Sequence, residues 1–467
     1  VVGGEGSRVS DEEIMRVLAP GGVAYLAKNG RWTKRVKPWP GNIDSWTHLL
    51  HGADNNAVAR DSVVGPPRRM QWKSKPAWCR SHEFISSFVS MVSDAGRVFF
   101  IFDEGLPGVT DPQVPERWTL IARDAFSGIL LWKRPMQNWS AANFGGQGRG
   151  FVPPPINRTL VAHGDHVFTV ARFRGPVVKL DAATGREVAQ YAETDGTEEI
   201  VLCDDTLLVR TSSRGSDGRD AVIALRPDTG KLLWERAEAG YLAESLAARD
   251  GRVVYANRDA LLCLDLDDGS ALWTYESPGF SKHSWSGGPR IVITGENVLV
   301  GTGRKVLAVD LRSGERTWQQ SSGGGSMRGA DMLVINGLVW HARGDGVAGY
   351  DLQTGEPRRE IDPSSVQSEG HHLRCYPAKG SARYLITQFR GAEFVSLTDE
   401  PHVQNDWTRG ACRYGVMPSN GMLYVPPHPC FCYAGAMMTG LNAYAAAADA
   451  EIRQIAEAAG ETTGRLE

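Results

Sequence analysis

The chain has 467 residues, 42% of them hydrophobic and 22% charged, a size and composition compatible with one large core or several small ones. Its 51 basic and 54 acidic side chains leave a formal net charge of −3, so it lacks the basic footprint of a nucleic-acid binder. No run approaches the ~18 consecutive apolar residues of a membrane helix, and seven scattered cysteines make neither a disulfide framework nor a paired zinc-ribbon pattern.

In chain order, the first element is a helix–turn–strand over residues 10–26. Ser10 and Glu13 form a capping box, and Gly21-Gly22 stops the helix before Val23-Ala-Tyr-Leu26. Residues 1–28 read as the remnant of an α/β module and 29–65 as a linker. The first residue is Val with no basic and apolar leader behind it, which suggests a fragment or processed chain.

From there the chain repeats itself. Asp124-Ala-Phe-Ser-Gly128 leads to Trp132, and the phrase returns at Asp181–Gly185, Arg226–Gly230 before Trp234, Asp265–Gly269 before Trp273, Asp310–Gly314 before Trp318, and Asp351–Gly355. Successive glycines lie 57, 45, 39, 45 and 41 residues apart, the period of a four-stranded propeller blade. Each phrase follows a β-branched run, so it reads as a hairpin between a blade's two outer strands. The Asp or Thr bonds the turning backbone and Gly supplies a positive φ. Four residues on, the Trp shares a strand face with the Gly and packs on the neighbouring blade. Ala189 and Arg359 take the Trp position in copies two and six, so those two seams should pack differently.

Residues 383–389 and 392–397 give a seventh blade, and 421–425 with 441–445 start an eighth that lacks its outer strand. Gly65-Pro-Pro-Arg-Arg-Met-Gln-Trp72 has the Gly and Trp of an outer strand but no inner strands, so the 66–75 strand is expected to close blade eight. The expected fold is all-β, an eight-bladed β-propeller over 66–445 with short helical extensions at either end; a seven-bladed ring or two β-sandwiches are the alternatives. Residues 446–467 read as a helical linker, and the whole as one part of a larger multidomain chain.

The Asp-x-x-Thr-Gly-x-x-Leu-Trp phrase resembles the pyrroloquinoline-quinone (PQQ) propeller repeat, shared by quinoprotein alcohol dehydrogenases and by cofactor-free scaffolds such as the outer-membrane assembly lipoprotein. The stretches 62–72, 100–105, 123–132 and 409–418 are similar to PQQ-binding-like propeller proteins of planctomycetes and related bacteria. That likeness implies a periplasmic or extracellular location. Residues 10–26 resemble the late helix–turn–strand of a class I S-adenosylmethionine-dependent methyltransferase, although the loop that would bind its cofactor is not in the sequence.

The PQQ resemblance implies a fold more than a function. Quinoprotein dehydrogenases clamp their cofactor between a Trp and an adjacent-cysteine disulfide, and this sequence has no Cys-Cys pair, so no cofactor is assigned and PQQ is not expected. His371, His372, Cys375, Cys412, His428, Cys430 and Cys432 are ligand types that could hold zinc or copper. Buried packing, or a Cys375–Cys412 disulfide, accounts for the same residues. At the expected starts of inner strands, Arg80, His283, Trp285, Arg328, Arg374, Arg413 and Tyr414 could line a funnel for an anionic or sugar-like ligand, with His82, Glu83 and Asp331 as weak catalytic candidates. A solvated rim needs the same residue types. The expected function is therefore a scaffold presenting its face to a small molecule, a glycan or a protein. The alternative is a quinone-dependent oxidoreductase or carbohydrate-active enzyme using the funnel.

Overall fold

The computed structural model describes residues 2–3, 9–28, 30–81, 83–145, 154–213, 219–276, 280, 288–302, 305–321, 331–342, 346–367, 376–427 and 438–446. They form an eight-bladed β-propeller, as the repeat implies. Blades 1 to 6 are four-stranded antiparallel sheets in chain order, beginning at inner strands Phe88–Asp94, Leu160–His163, Thr197–Cys203, Ala247–Arg249, Arg290–Thr294 and Met332–Ile335. Blade 7 has three strands, Lys379–Gly380, Tyr384–Thr387 and Glu393–Ser396. Blade 8 takes Met417–Ser419, Met422–Val425 and Leu441–Ala446 from the end of the chain, and its outer strand, Pro67–Ser74, from the beginning. Trp72 stands opposite Ala443 in that closing pair. Tying the first strand to the last removes the open edge a ring of sheets would otherwise leave.

The repeated phrase makes the blade seams. In the turn at Asp310, the carboxylate accepts the backbone N–H of Arg312 and Ser313 at 2.9 and 2.7 Å, and Gly314 adopts φ +76°. These bonds hold the Asp310 carboxyl below its usual range. The glycine is also a seat: a Cβ there would stand 2.7 Å from the Trp273 indole of the preceding blade. The Trp273 Nε1–H then donates to the Leu311 carbonyl at 2.9 Å. The same pair of contacts joins Trp72 to blade 1, Trp132 to blade 2, Trp234 to blade 4 and Trp318 to blade 6, each indole donating to the carbonyl after the turn's first residue. Where Trp is missing the bond survives on another donor. Tyr191 leans on Gly230 and its hydroxyl donates to Pro227 O at 2.6 Å, while Arg359 Nη1 donates to Leu397 O at 2.5 Å.

Residues 2–36 form a separate small unit outside the ring. Val2–Gly3 pairs in parallel with Val23–Lys28 across the helix Asp11–Val17, and Arg31–Val36 adds an antiparallel edge. Ser10 caps the helix through Glu13 N at 3.2 Å, as the capping box requires. The C-terminal helix expected over 446–467 lies outside the described residues beyond Ala446.

The stretch expected to be a linker contains the least anticipated feature. Residues 44–61 lie across one end of the central channel and bond to the blades in turn. Asp44 O accepts from Asn420 of blade 8, Trp46 pairs with Ser93 of blade 1, and Thr47 O accepts from Ala162 of blade 2. The His48 ring accepts from Leu202 N of blade 3 at 3.0 Å. Ala53 O and Asp54 O accept from Ala248 and Ile293 of blades 4 and 5. The Asn56 amide pairs with both backbone groups of Val334 in blade 6, Ala57 and Ala59 with Gly380 of blade 7, and the Asp61 carboxylate with Gly421 N of blade 8 at 2.6 Å. All eight blades are touched near the C-terminal ends of their inner strands, so this segment is a plug.

Candidate functional site

The plug lies at the C-terminal ends of the inner strands; the N-terminal ends of the same strands ring the other end of the channel, here called the well. Those ends carry charge. Arg158 lies two residues before the first strand of blade 2, Glu199 lies within that of blade 3, Glu244 precedes that of blade 4, Arg290 opens that of blade 5, Asp331 precedes that of blade 6 and Lys379 opens that of blade 7. Strand alternation and the ring's convergence turn them toward one another: the Arg290 guanidinium interacts electrostatically with Asp331, Glu244 and Arg158.

The best-defined cluster spans blades 2 to 4. Arg158 Nη2 donates to Asn55 Oδ1 of the plug at 2.9 Å and to Leu246 O at 2.8 Å, and its Nη1 lies 3.6 Å from Glu199 Oε2. Both side chains are almost wholly buried. Glu244 N donates to Glu199 Oε1. Arg210 lies over the Tyr241 ring at 4.8 Å and pairs with Asp220 at 2.9 Å. Arg158 Nη1 and Glu199 Oε2 thus face each other as an ion pair too long for a hydrogen bond, the Tyr241 hydroxyl stands beside Glu199, and Arg210 Nε and Nη1 make no hydrogen bond. Burial pushes the Glu199 carboxyl up, against the opposing pull of Arg158, and pushes the Tyr241 hydroxyl up as well. Beneath them, burial and the Arg158 charge pull His48 down to about 3, so its ring is a neutral acceptor.

The residues singled out from the sequence fall in several places. Asp331 is in the well, where its Oδ2 accepts from Ala378 N at 3.0 Å and Gln388 Nε2 at 3.2 Å. Arg80 is fully buried over Phe84 at 4.1 Å, with Nη2 donating to Asp111 O at 2.6 Å, on the blade 1 side and apart from the Arg158 cluster. Glu83 is exposed. Tyr414 is a bolt between blades: its hydroxyl donates to Met91 O at 2.6 Å and its ring packs on Phe88 at 5.1 Å. Arg413 takes φ +71° beside it, and Cys412 is buried. His82, His283, Trp285, Arg328, His371, His372, Arg374, Cys375, His428, Cys430 and Cys432 lie outside the described residues. Among the described residues, no group of three His, Cys, Asp or Glu side chains is placed to hold a metal.

Sequence reasoning missed Arg158, Glu199, Arg210, Tyr241, Glu244 and Arg290. The available signal was a charge on the first residues of an otherwise apolar inner strand, as in Glu198-Glu-Ile-Val-Leu202.

Among the described residues, no side chains fit the quinone implied by the repeat. Trp46, in the plug, is completely buried, with Lys379 Nζ 5.0 Å over its ring, so it offers no face for a planar cofactor. Cys79, Cys203 and Cys263 are separate buried thiols; burial pushes Cys203 and Cys263 to about 12. Nothing in the sequence supplies an adjacent-cysteine pair.

Comparison with known proteins agrees with the fold. The family described as outer membrane protein assembly factor BamB matches residues 174–373. Among solved structures, BamB from Moraxella catarrhalis is 16% identical over 76% of this chain and 82% of its own, with a TM-score of 0.41. The computationally designed Ika8 protein is 14% identical over 79% and 98%, with a TM-score of 0.50. A europium-containing methanol dehydrogenase is 11% identical over 82% and 89%, with a TM-score of 0.51. No curated protein matches the chain significantly. No helix among the described residues is long and apolar enough to cross a membrane. Repeat and ring together make the chain an eight-bladed β-propeller, of which residues 174–373 match a PQQ-type repeat family.

Proposed function

We propose that this propeller is a binding module of the bacterial cell envelope, periplasmic or extracellular, whose channel well holds a small anionic, hydroxyl-bearing molecule such as a uronic acid. The observation that carries the reading is the cluster of buried polar groups at Arg158, Glu199, Arg210 and Tyr241, several of whose atoms lack a well-formed hydrogen bond. Each such atom costs roughly 1–3 kcal/mol while unpaired, and native folds keep few of them without a use. Two guanidinium edges suit a carboxylate. The Glu199 carboxyl and Tyr241 hydroxyl suit ring hydroxyls. The parallel strand–helix–strand of residues 2–28 is compatible with a late unit of a methyltransferase-like fold ahead of the propeller.

Calorimetric titration with D-galacturonate and D-galactose tests this. Binding of the acid, absent for the neutral sugar and weakened at least tenfold in Arg158→Ala and Arg210→Ala, is expected; no preference for the acid removes the reading. The raised Glu199 carboxyl, with Glu244 beside it, favours as second reading a carbohydrate-active enzyme in which Glu199 is the acid. Turnover of nitrophenyl uronides that disappears in Glu199→Gln would select it.

A further inference from the structure

Blade 1 carries a second feature on the face of the well, built from other residues. The loop between its second and third strands and the segment after its fourth enclose a groove of about 450 Å3, whose walls include Phe84, Pro112, Val114, Glu116, Trp139 and Ala142. Arg80, stacked on Phe84 and tied to the Asp111 carbonyl, stiffens the floor from behind. The volume is that of a small-ligand site, and the lining is mostly apolar.

Three polar side chains interrupt that lining; Ser140 is engaged as a helix cap, its Oγ accepting from Asn143 N at 3.2 Å, which leaves two. Trp139 is only 4% exposed, and its indole N–H has no acceptor. Its ring is crowded by Trp118 and Phe144, with centroids 5.9 and 5.7 Å away. At 4% exposure the ring offers little surface on which a sugar could stack. The Glu116 carboxylate accepts from Ala141 N at 2.9 and 3.0 Å and from Trp118 Nε1 at 2.6 Å. That uses three of its roughly four acceptor positions. One donor and one remaining acceptor among apolar walls complement a backbone amide bearing an apolar side chain. The Glu116 charge repels a carboxylate.

We propose that this groove docks an uncharged, apolar peptide segment, one side chain entering between Phe84, Val114 and Trp139. The carbonyl of that residue accepts from Trp139 Nε1, and its N–H donates to Glu116. The test is saturation-transfer NMR on the whole chain with N-acetyl-leucinamide, N-acetyl-phenylalaninamide and methyl glucoside as probes. Both amides should receive saturation and the glucoside none. Ala142→Trp, an exposed position where a large side chain fills the groove, should abolish the amide signal while leaving the thermal unfolding curve and any uronate binding in the well unchanged. Trp139→Phe should weaken amide binding about fivefold. Silent amides, an undiminished signal in Ala142→Trp, or Trp139→Phe binding as the parent does would each overturn the proposal.

Discussion

The outer seams and the channel well are made by the same strands and obey different rules. At five of the seams an indole lies on a glycine and finds a carbonyl, and two more keep the carbonyl bond with Tyr191 or Arg359 as the donor. At the well the blades contribute Arg, Glu, Asp or Lys in no repeated motif, and several buried polar atoms make no hydrogen bond. The repeat is thus devoted to cohesion, and chemistry is left to the positions where the repeats disagree.

That contrast can be broken or sharpened by substitution. The largest effect is expected at a seam: Trp273→Ala should cost about 3–5 kcal/mol of unfolding free energy in a denaturant titration, the range for removing a buried Trp. A loss under 1 kcal/mol would mean the seams do not hold the ring. Next comes the plug. His48 is neutral in the fold, with its pKa lowered from 6.5 to about 3, while an unfolded His takes up a proton below about 6.5. The stabilisation is present above 6.5 and drains away as pH falls, by about 2 kcal/mol at pH 5. His48→Gln, measured by denaturant titration across that window, should flatten the loss; an unchanged slope would remove His48 as its source.

The smallest effect belongs to the well. Glu199 is raised by burial, so its contribution is favourable below the ordinary value of 4.5 and is lost as pH rises through the raised one. Glu199→Gln should remove that decline and leave stability at neutral pH equal or slightly higher. If Glu199→Gln destabilises as much as Trp273→Ala, the well is a structural core rather than a site.

Seams were legible in the sequence because their chemistry is local and repeated: the turn phrase recurs six times, with Gly and the packing residue at fixed offsets within about ten residues. Even the seam exceptions at copies two and six could be read, as could the closing strand that carries Trp72. The plug could not. Asp44, His48, Asn55, Asn56 and Asp61 look like any polar connection, because each answers a backbone group hundreds of residues away and no two make the same bond. The Arg158 cluster was hidden for the same reason. Arg158 stood in view within Asn157-Arg-Thr159, but its partners Asn55, Glu199 and Leu246 come from three other segments, and only closure of the ring defines the site.

The plug has a consequence for how the molecule comes together. Its residues leave the ribosome before any blade, yet Asp61 finds its partner in Gly421, and Pro67–Ser74 finds its own in Leu441–Ala446. Contacts that long in sequence close slowly, so the segment must trail loose through the making of every blade and be drawn tight only when the last one arrives. It acts as a drawstring, whose seating certifies that all eight pleats are present and in order.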